Sequence, residues 1–132
     1  MPKPLPLDGI KVVEIGQNVA APFGAMILAD FGASVVKIES LNGDDARHYG
    51  AKVGDHSSIV FEAFNRNKEA ISLDLSNESE RQWLKSFIAE NADICIQSLR
   101  PGKADELGLG ADDLLALAPH LIYGNIGAYG ST

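Results

Sequence analysis

Two short segments rich in β-branched residues, separated by a helical segment, constrain the fold more than any other feature of the sequence. The first is IKVVEI, which spans residues 10–15 and is followed by Gly16, and the second is SVVKIE, which spans residues 34–39. Near-continuous apolar strands are typical of a parallel sheet that helices cover on both faces. The order strand, helix, strand therefore predicts two parallel strands joined by a crossover helix.

The segment between these strands has the pattern of an amphipathic helix. Pro22 suits its first turn and Gly32 its C-terminal end. Its large apolar residues recur at helical spacing: Phe23, Met26, Ile27 and Phe31.

The same alternation continues along the rest of the chain. EAISLDL, ADICIQS and HLIYGNIGAYG predict three further strands, and SSIVFEAF predicts a short helix. A helix follows Asn77, which with Glu80 resembles a capping box, and another begins at Asp112. The expected buried stripe of the helix after Asn77 is Trp83, Leu84, Phe87 and Ile88. We predict one α/β domain over residues 1–132, with a Rossmann-like, mainly parallel sheet of about five strands flanked by helices.

Charge and cysteine content exclude several classes of function. The 132 residues carry a net charge of −7, which disfavours nucleic acid as a partner. The single cysteine, Cys95, cannot form an internal disulfide and indicates a reducing compartment. Neither an apolar signal core nor a membrane-spanning run is present, so we predict a cytoplasmic protein without a membrane partner.

Ligands of open α/β sheets bind beyond the carboxyl ends of the strands. Glu39 stands where a dinucleotide fold places its ribose-binding acid, but GQNVAAPFG lacks the second and third glycines of that fingerprint. Arg100, in the turn RPG, is compatible with a phosphate contact and with a solvated loop arginine. The scattered histidines lack the spacing of metal ligands, so no metal site is predicted.

The polar block NRNK, residues 65–68, directly precedes the third predicted strand. We predict that it is mainly structural, with its asparagines satisfying turn backbone. The alternative is that Arg66 or Lys68 contacts a phosphate.

Four segments together resemble the start of the family III CoA-transferases, a group that includes formyl-CoA and carnitine CoA-transferases and α-methylacyl-CoA racemases. They are the run from Leu7 to Glu39, NRNKEAISLDL, LRPGKADELGLG and PHLIYGNIGAYG. The resemblance covers about the first third of a typical member. It implies that the chain corresponds to the N-terminal part of the large CoA-binding domain, without the small domain or the C-terminal return segment.

The resemblance implies coenzyme A, or an acyl-CoA, as the ligand. The implied CoA contacts are Val19, Ala20, Ser40, Leu73, Asp74, Leu75, Ser76, Ser98, Leu99 and Arg100. Gln17 and Asn18 are candidate contacts to the acyl group. Many members have arginine in place of Ser40, and the transferases have one in place of Glu106, so we expect weak CoA binding.

No catalytic residue is assigned, because the resemblance places the transferase aspartate and the racemase pair beyond Thr132. We therefore expect a truncated or standalone CoA-binding domain that is inactive alone. It would form a homo-oligomer or bind a partner chain that supplies the rest of the enzyme. The alternatives are a ligand-free interaction domain and, with less support, a nicotinamide dinucleotide-binding domain.

Overall fold

A computed structural model describes residues 3–130 and contains a central parallel sheet between layers of helices. The strands are β1 (Lys11–Ile15), β2 (Ser34–Glu39), β3 (Lys52–Val53), β4 (Ser57–Ser58), β5 (Lys68–Ser72), β6 (Ile94–Gln97) and β7 (Ile122–Asn125). The helices are α1 (Ala20–Asp30), α2 (Ile59–Asn65), α3 (Glu78–Asn91), α4 (Lys103–Glu106) and α5 (Ala111–Leu117), with a 3-10 turn at Asp45–His48.

Five of these strands form the main sheet in the order β5-β2-β1-β6-β7, and every neighbouring pair is parallel. The chain builds outward from β1 through β2 to β5, and then crosses back to β6 on the other side of β1. The strand order therefore reverses between β1 and β6, which is where open α/β sheets form a ligand crevice. The predicted α/β fold with a parallel five-stranded sheet is confirmed.

Alternate residues of the strands pack against opposite helical layers. On one face, Val12 and Val35 pack with the alanines of α1. On the other face, Val13 belongs to a larger cluster with Leu84 of α3 and Leu114 of α5. Burial on both faces explains why the inner strands β1, β2 and β6 are mainly apolar.

Helix α1 rests on the sheet through small side chains. Its buried residues are Ala21, Pro22, Ala25, Met26 and Ala29. The helical spacing of the large residues is correct, but only Met26 among them is buried. Phe23, Ile27 and Phe31 remain substantially exposed, because the alanine row lies against the strands and turns these side chains outward.

Helix α3 also buries fewer residues than expected. Leu84 and Ile88 are fully buried, whereas Trp83 is 46% exposed and stacks on Phe87 with ring centroids 5.1 Å apart. Residues 83 and 87 lie about 100° around the helix from 84 and 88, beyond the contact with the sheet. The prediction that Trp83 belongs to the buried stripe is wrong.

The start of α3 is capped as the sequence indicated, but only in part. Asn77 Oδ1 accepts from the amides of Ser79 and Glu80 at 2.9 and 3.3 Å. Glu80 does not complete the reciprocal bond of a capping box; its Oε2 accepts from Asp74 N at 2.7 Å instead. Glu80 thereby holds the loop before the helix.

Two local features differ from the predicted strands. The third strand of the sequence was expected to reach Leu75, but β5 ends at Ser72 and residues 73–75 leave the sheet. Between β2 and α2, β3 and β4 form a small antiparallel hairpin that the sequence did not indicate. No helix within residues 3–130 has both the length and the apolar character needed to cross a bilayer.

Candidate functional site

A cleft of about 300 Å³ opens at the carboxyl ends of β1, β2, β5 and β6. This is the edge of the sheet at which the strand order reverses. Its lining is Ile15, Gly16, Gln17, Ile38, Glu39, Ser40, Leu41, Asn42, Leu73, Asp74, Leu75 and Leu99. Six of the twelve residues implied by the family resemblance line it: Gln17, Ser40, Leu73, Asp74, Leu75 and Leu99.

The turn between β1 and α1 passes unusually close to the end of β6. A Cβ atom on Gly16 would lie 2.6 Å from Ser98 Oγ and 2.7 Å from Ala21 Cβ, so only glycine fits. Ser98 N donates to Ile15 O at 3.1 Å, which ties the two strand ends together. This close approach sets Gln17 at the cleft.

Val19 and Ala20 follow at the head of α1, outside the cleft lining. Pro22 contributes no N–H to the first turn, and Phe23 N donates to Val19 O at 2.7 Å. The amides of Ala20 and Ala21 are then the ones without an intrahelical acceptor. Val19, at the N-cap, makes no side-chain cap bond, so those amides could serve a ligand anion.

The segment after β5 brings a negative charge to the cleft. Asp74 Oδ1 accepts from Ser76 Oγ at 2.6 Å and from Ser76 N at 2.9 Å, and these bonds hold the pKa of Asp74 below its usual value. Ser76 does not line the cleft, and it contacts the cleft by donating to this carboxylate. Leu73 and Leu75 provide the apolar part of the same wall.

Arg100 lies in a second cleft, of about 370 Å³, that adjoins the first at Leu99. Gln97, Tyr123 and Asn125 also line this second cleft. Over the described range 3–130, no carboxylate forms a salt bridge with Arg100. Its guanidinium is therefore available to a ligand at the junction of the two clefts.

Ser40 and Glu106 stand where the resemblance implies arginines. Ser40 lines the first cleft, and its Oγ donates to Gly43 O at 3.0 Å across a tight turn. Glu106 is exposed on α4 and pairs with Lys103 at 3.1 Å. Neither position supplies positive charge to the clefts.

Glu39, the residue that suggested a ribose-binding acid, is already hydrogen-bonded within the protein. Its carboxylate accepts hydrogen bonds from the Arg47 guanidinium at 2.6 and 2.8 Å and from Asp44 N at 2.7 Å. Burial raises the pKa of Glu39, but these bonds outweigh burial and leave it below its usual value. The feature that favoured a nicotinamide dinucleotide therefore has a structural role.

The block NRNK ties helices to strands. Arg66 and Asn67 both donate to Asp30 at the end of α1, with distances of 2.6–3.1 Å. Lys68 Nζ, whose side chain is almost fully buried, donates to Glu14 Oε2, Pro22 O and Asn65 Oδ1. Arg66 lies at the amino ends of the strands, away from the cleft, and Lys68 has no free hydrogen. The alternative that either one contacts a phosphate is not supported.

A buried ionic network that was not predicted lies beside the cleft. Lys37 Nζ lies 2.8 Å from both Glu14 Oε1 and Asp44 Oδ2, and all three side chains are at most 1% exposed. Lys68 pairs with the other oxygen of Glu14 at 2.7 Å. A signal was present: Glu14 and Lys37 each interrupt a strand that is otherwise apolar on both faces. A charge in such a strand requires a buried partner.

Cys95 and His120 line neither of the two clefts. Cys95 is buried, which raises its pKa to about 12. His120 contacts Ala92 O at 3.1 Å. Within residues 3–130, no group of three or more His, Cys, Asp or Glu side chains is arranged to hold a metal ion.

Comparisons with known proteins point to one family. The model of CoA-transferase family III matches residues 7–132. A probable fatty acyl-CoA transferase of Mycobacterium tuberculosis is 38% identical over 127 residues, which cover 95% of this chain and 32% of that protein. Acetyl-CoA:oxalate CoA-transferase of Acetobacter aceti is 39% identical over 128 residues, with coverages of 96% and 32%.

A solved structure gives the same result. The crystal structure of a CAIB/BAIF family protein from Brucella suis matches with a TM-score of 0.91 and 40% identity, covering 98% of this chain and 35% of that one. The chain therefore spans about a third of the length of the relatives it matches.

Proposed function

Because the chain belongs to the family III CoA-transferases, we propose that it binds coenzyme A or an acyl-CoA in the cleft at the carboxyl ends of β1, β2, β5 and β6. One observation carries the proposal. Six positions that the family resemblance associates with CoA or its acyl group, contributed by four separate strand ends, line a single cleft. That cleft lies at the reversal of strand order, where this class of sheet binds its ligands.

The two adjoining clefts suggest which part of the ligand each one holds. The first cleft is at the small end of the range for ligand pockets, about 300–1,000 Å³, so it would hold only part of a CoA molecule. Its leucines at 73, 75 and 99 suit the adenine or the pantetheine chain. Arg100, at the junction with the second cleft, is the cation best placed for a phosphate.

The acyl end of the ligand belongs near Gln17. This side chain is exposed and lines the cleft, so its amide can donate to or accept from a thioester carbonyl. Asn18 is less suited, because its side-chain oxygen is buried. We therefore narrow the proposed acyl contact to Gln17.

Binding should be weak. The net charge of −7 and the Asp74 carboxylate in the cleft both oppose a polyanion. Without arginines at positions 40 and 106, we expect a dissociation constant of roughly 0.1 mM or weaker.

We place the group-transfer chemistry outside these 132 residues. Covalent catalysis of this kind needs a positioned carboxylate nucleophile, and the family resemblance assigns that role to no residue here. The chain alone should therefore turn over neither formyl-, succinyl- nor methylacyl-CoA. Measurable turnover by the purified chain would refute this part of the proposal.

Calorimetric titration tests the binding proposal directly. CoA injected into the chain should give saturable heat, and NAD at the same concentration should give none. Preferential binding of NAD would favour the nicotinamide alternative. Absence of heat with either ligand at millimolar concentration would favour a ligand-free interaction domain.

A further inference from the structure

The backbone on both sides of Gln17 is held by one buried ion pair. Lys37 Nζ donates to Gly16 O at 3.1 Å, and Asp44 Oδ1 accepts from Asn18 N at 2.9 Å. Lys37 Nζ and Asp44 Oδ2 lie 2.8 Å apart. These three contacts close a ring through the backbone of Gln17. We propose that Lys37 and Asp44 are positioning residues that clamp this backbone and so present the Gln17 side chain to the cleft.

The clamp is fully enclosed and electrically balanced. The Lys37 ammonium donates to Glu14 Oε1 and to Gly16 O, and it forms an ion pair with Asp44 Oδ2 at 2.8 Å. Lys68 neutralises the second oxygen of Glu14. Two buried cations thus face two buried carboxylates, so no charge in the network is left to reorient toward solvent. The backbone atoms that it holds are correspondingly fixed.

The local sequence alone would not keep the held conformation. Asn18 has φ of 63°, in the left-handed region that non-glycine residues seldom adopt. Its side-chain oxygen is buried and, among the residues described, without a hydrogen-bond partner. Both features cost free energy. The bond from Asn18 N to Asp44 opposes that cost, which is what a positioning contact must do.

Asp44 connects the clamp to a second wall of the cleft. Asp44 Oδ1, which accepts a hydrogen bond from Asn18 N, also accepts one from Ala46 N at 2.9 Å, at the start of the 3-10 turn. Asp44 N donates to Glu39 at 2.7 Å, at the end of β2. The carboxylate therefore fixes the Gln17 segment relative to the loop that follows β2. A purely structural role would stabilise this loop without a selective effect on Gln17.

Hydrogen exchange of the Asn18 amide distinguishes the two roles, and it needs no ligand. In Asp44→Ala, exchange at Asn18 should accelerate by on the order of tenfold relative to the amides of β1, which corresponds to loss of one hydrogen bond to a charged group. Lys37→Met keeps that bond but removes the partner of Asp44 and Gly16 O, so it should accelerate the same exchange by a smaller factor. Asp44→Asn keeps a side-chain oxygen for Asn18 N and should retain most of the protection. Asp30→Ala, which breaks the ion pair with Arg66 at the other end of the sheet, is the matched control and should leave the ratio unchanged. If exchange at the Asn18 amide accelerates only as much as exchange at the β1 amides, the proposed clamp is wrong.

The consequence for the cleft is tested with CoA itself and rests on the proposed function. If the wild type binds CoA, Asp44→Ala should weaken binding several-fold, and adding Gln17→Ala to it should weaken binding little further. Fully additive effects of the two substitutions, or unchanged affinity in Asp44→Ala, would overturn the link between the clamp and Gln17. If the wild type binds no CoA, the proposed function fails, while the exchange ratios still decide whether the clamp exists. Should Asp44→Ala not fold, Lys37→Met carries both measurements, with Asp44→Asn as the variant that keeps the bond to Asn18 N.

Discussion

Glu14 and Lys37 lie directly opposite each other on the neighbouring parallel strands β1 and β2, and Lys37 Nζ donates to Glu14 Oε1 at 2.8 Å. Both side chains point to the face of the sheet that α1 covers. A Glu–Lys pair at the centre of two apolar strands is stable only if every oxygen and hydrogen has a partner. Here the partners come from β5 and from the loops at the cleft, so the pair links the core of the fold to the candidate site.

Removal of one cation from this network should be costly. Lys68→Met leaves the second Glu14 oxygen, Pro22 O and Asn65 Oδ1 without their donor. We expect the free energy of unfolding to fall by about 3–5 kcal/mol, as for a broken buried pair. Urea denaturation measures it. Lys103→Met breaks an exposed pair with Glu106. It should lower the free energy of unfolding by less than about 0.5 kcal/mol. Similar losses in both variants would mean that the network contributes nothing specific.

Acid should destabilise the fold through two buried carboxyls. Burial raises the pKa of Asp44, but interactions with Lys37 and with the amides of Asn18 and Ala46 outweigh burial and lower it. Burial also raises the pKa of Glu39, and the bonds from Arg47 outweigh it and lower that pKa. Both folded pKa values therefore lie below the unfolded values, which are near 4. Between the folded and unfolded values the unfolded chain binds more protons, so the free energy of unfolding falls as the pH falls.

This contribution should be complete above about pH 5 and should be lost progressively below about pH 4. Denaturation curves between pH 2.5 and 7 measure the slope. Asp44→Asn should flatten it, whereas Asp113→Asn, at an exposed position on α5, should not. A wild-type slope of zero in this window would contradict the structure.

Much of this architecture follows from the sequence. The apolar strands and the helices between them predicted the parallel sheet, and the rule for strand ends located the cleft. Side-chain placement was less predictable, because helical periodicity does not reveal which stripe faces the sheet. The alanine row of α1 and the exposed Trp83 are examples.

The structural role of NRNK was predicted, but its partners and the clamp on Gln17 could not be, for a different reason. Their contacts join residues far apart in the chain, such as Lys68 with Glu14 and Asp44 with Asn18. Such pairs are set by strand register, which local patterns do not fix. The break of β5 at Ser72 is similar, because Leu73 and Leu75 continue the alternation of a strand although they leave the sheet to line the cleft.

The charge at two positions should control CoA affinity. Arg100→Ala removes the one cation at the junction of the clefts that we assign to phosphate, and it should reduce binding below detection. Ser40→Arg restores the arginine of related proteins and should strengthen binding about tenfold, the effect of one hydrogen bond to a charged group. Lys103→Ala changes the net charge as Arg100→Ala does but lies outside both cleft linings. An equal loss of affinity in Arg100→Ala and Lys103→Ala in calorimetry would show that the charge acts only through the overall field.

The outward face of α1 should promote association between copies of the chain or with a partner. Phe23, Ile27 and Phe31 are 46%, 39% and 50% exposed on this helix. Contiguous apolar surface of this kind is typical of interaction sites. Sedimentation velocity should show a concentration-dependent oligomer, and Ile27→Ser with Phe31→Ser should shift it toward monomer. Leu117→Ser, on α5, is the control and should not. A strict monomer at high concentration would contradict the expectation.

The close approach at Gly16 should make that position intolerant of any side chain. A Cβ there would lie 2.6 Å from Ser98 Oγ and 2.7 Å from Ala21 Cβ, so Gly16→Ala should lower the free energy of unfolding by about 1–3 kcal/mol through overpacking. Because the displaced turn carries Gln17, CoA affinity should fall as well. Denaturation and calorimetry measure the two effects.

Two further variants separate this clash from a general effect of replacing glycine. At Gly124, a Cβ would meet its neighbours only at 3.7–4.0 Å, so Gly124→Ala should change stability by less than about 1 kcal/mol. Ser98→Gly removes the nearer of the two clashing atoms and should restore part of the stability lost in Gly16→Ala. If the double variant is no more stable than Gly16→Ala, the clash with Ser98 does not cause the loss of stability.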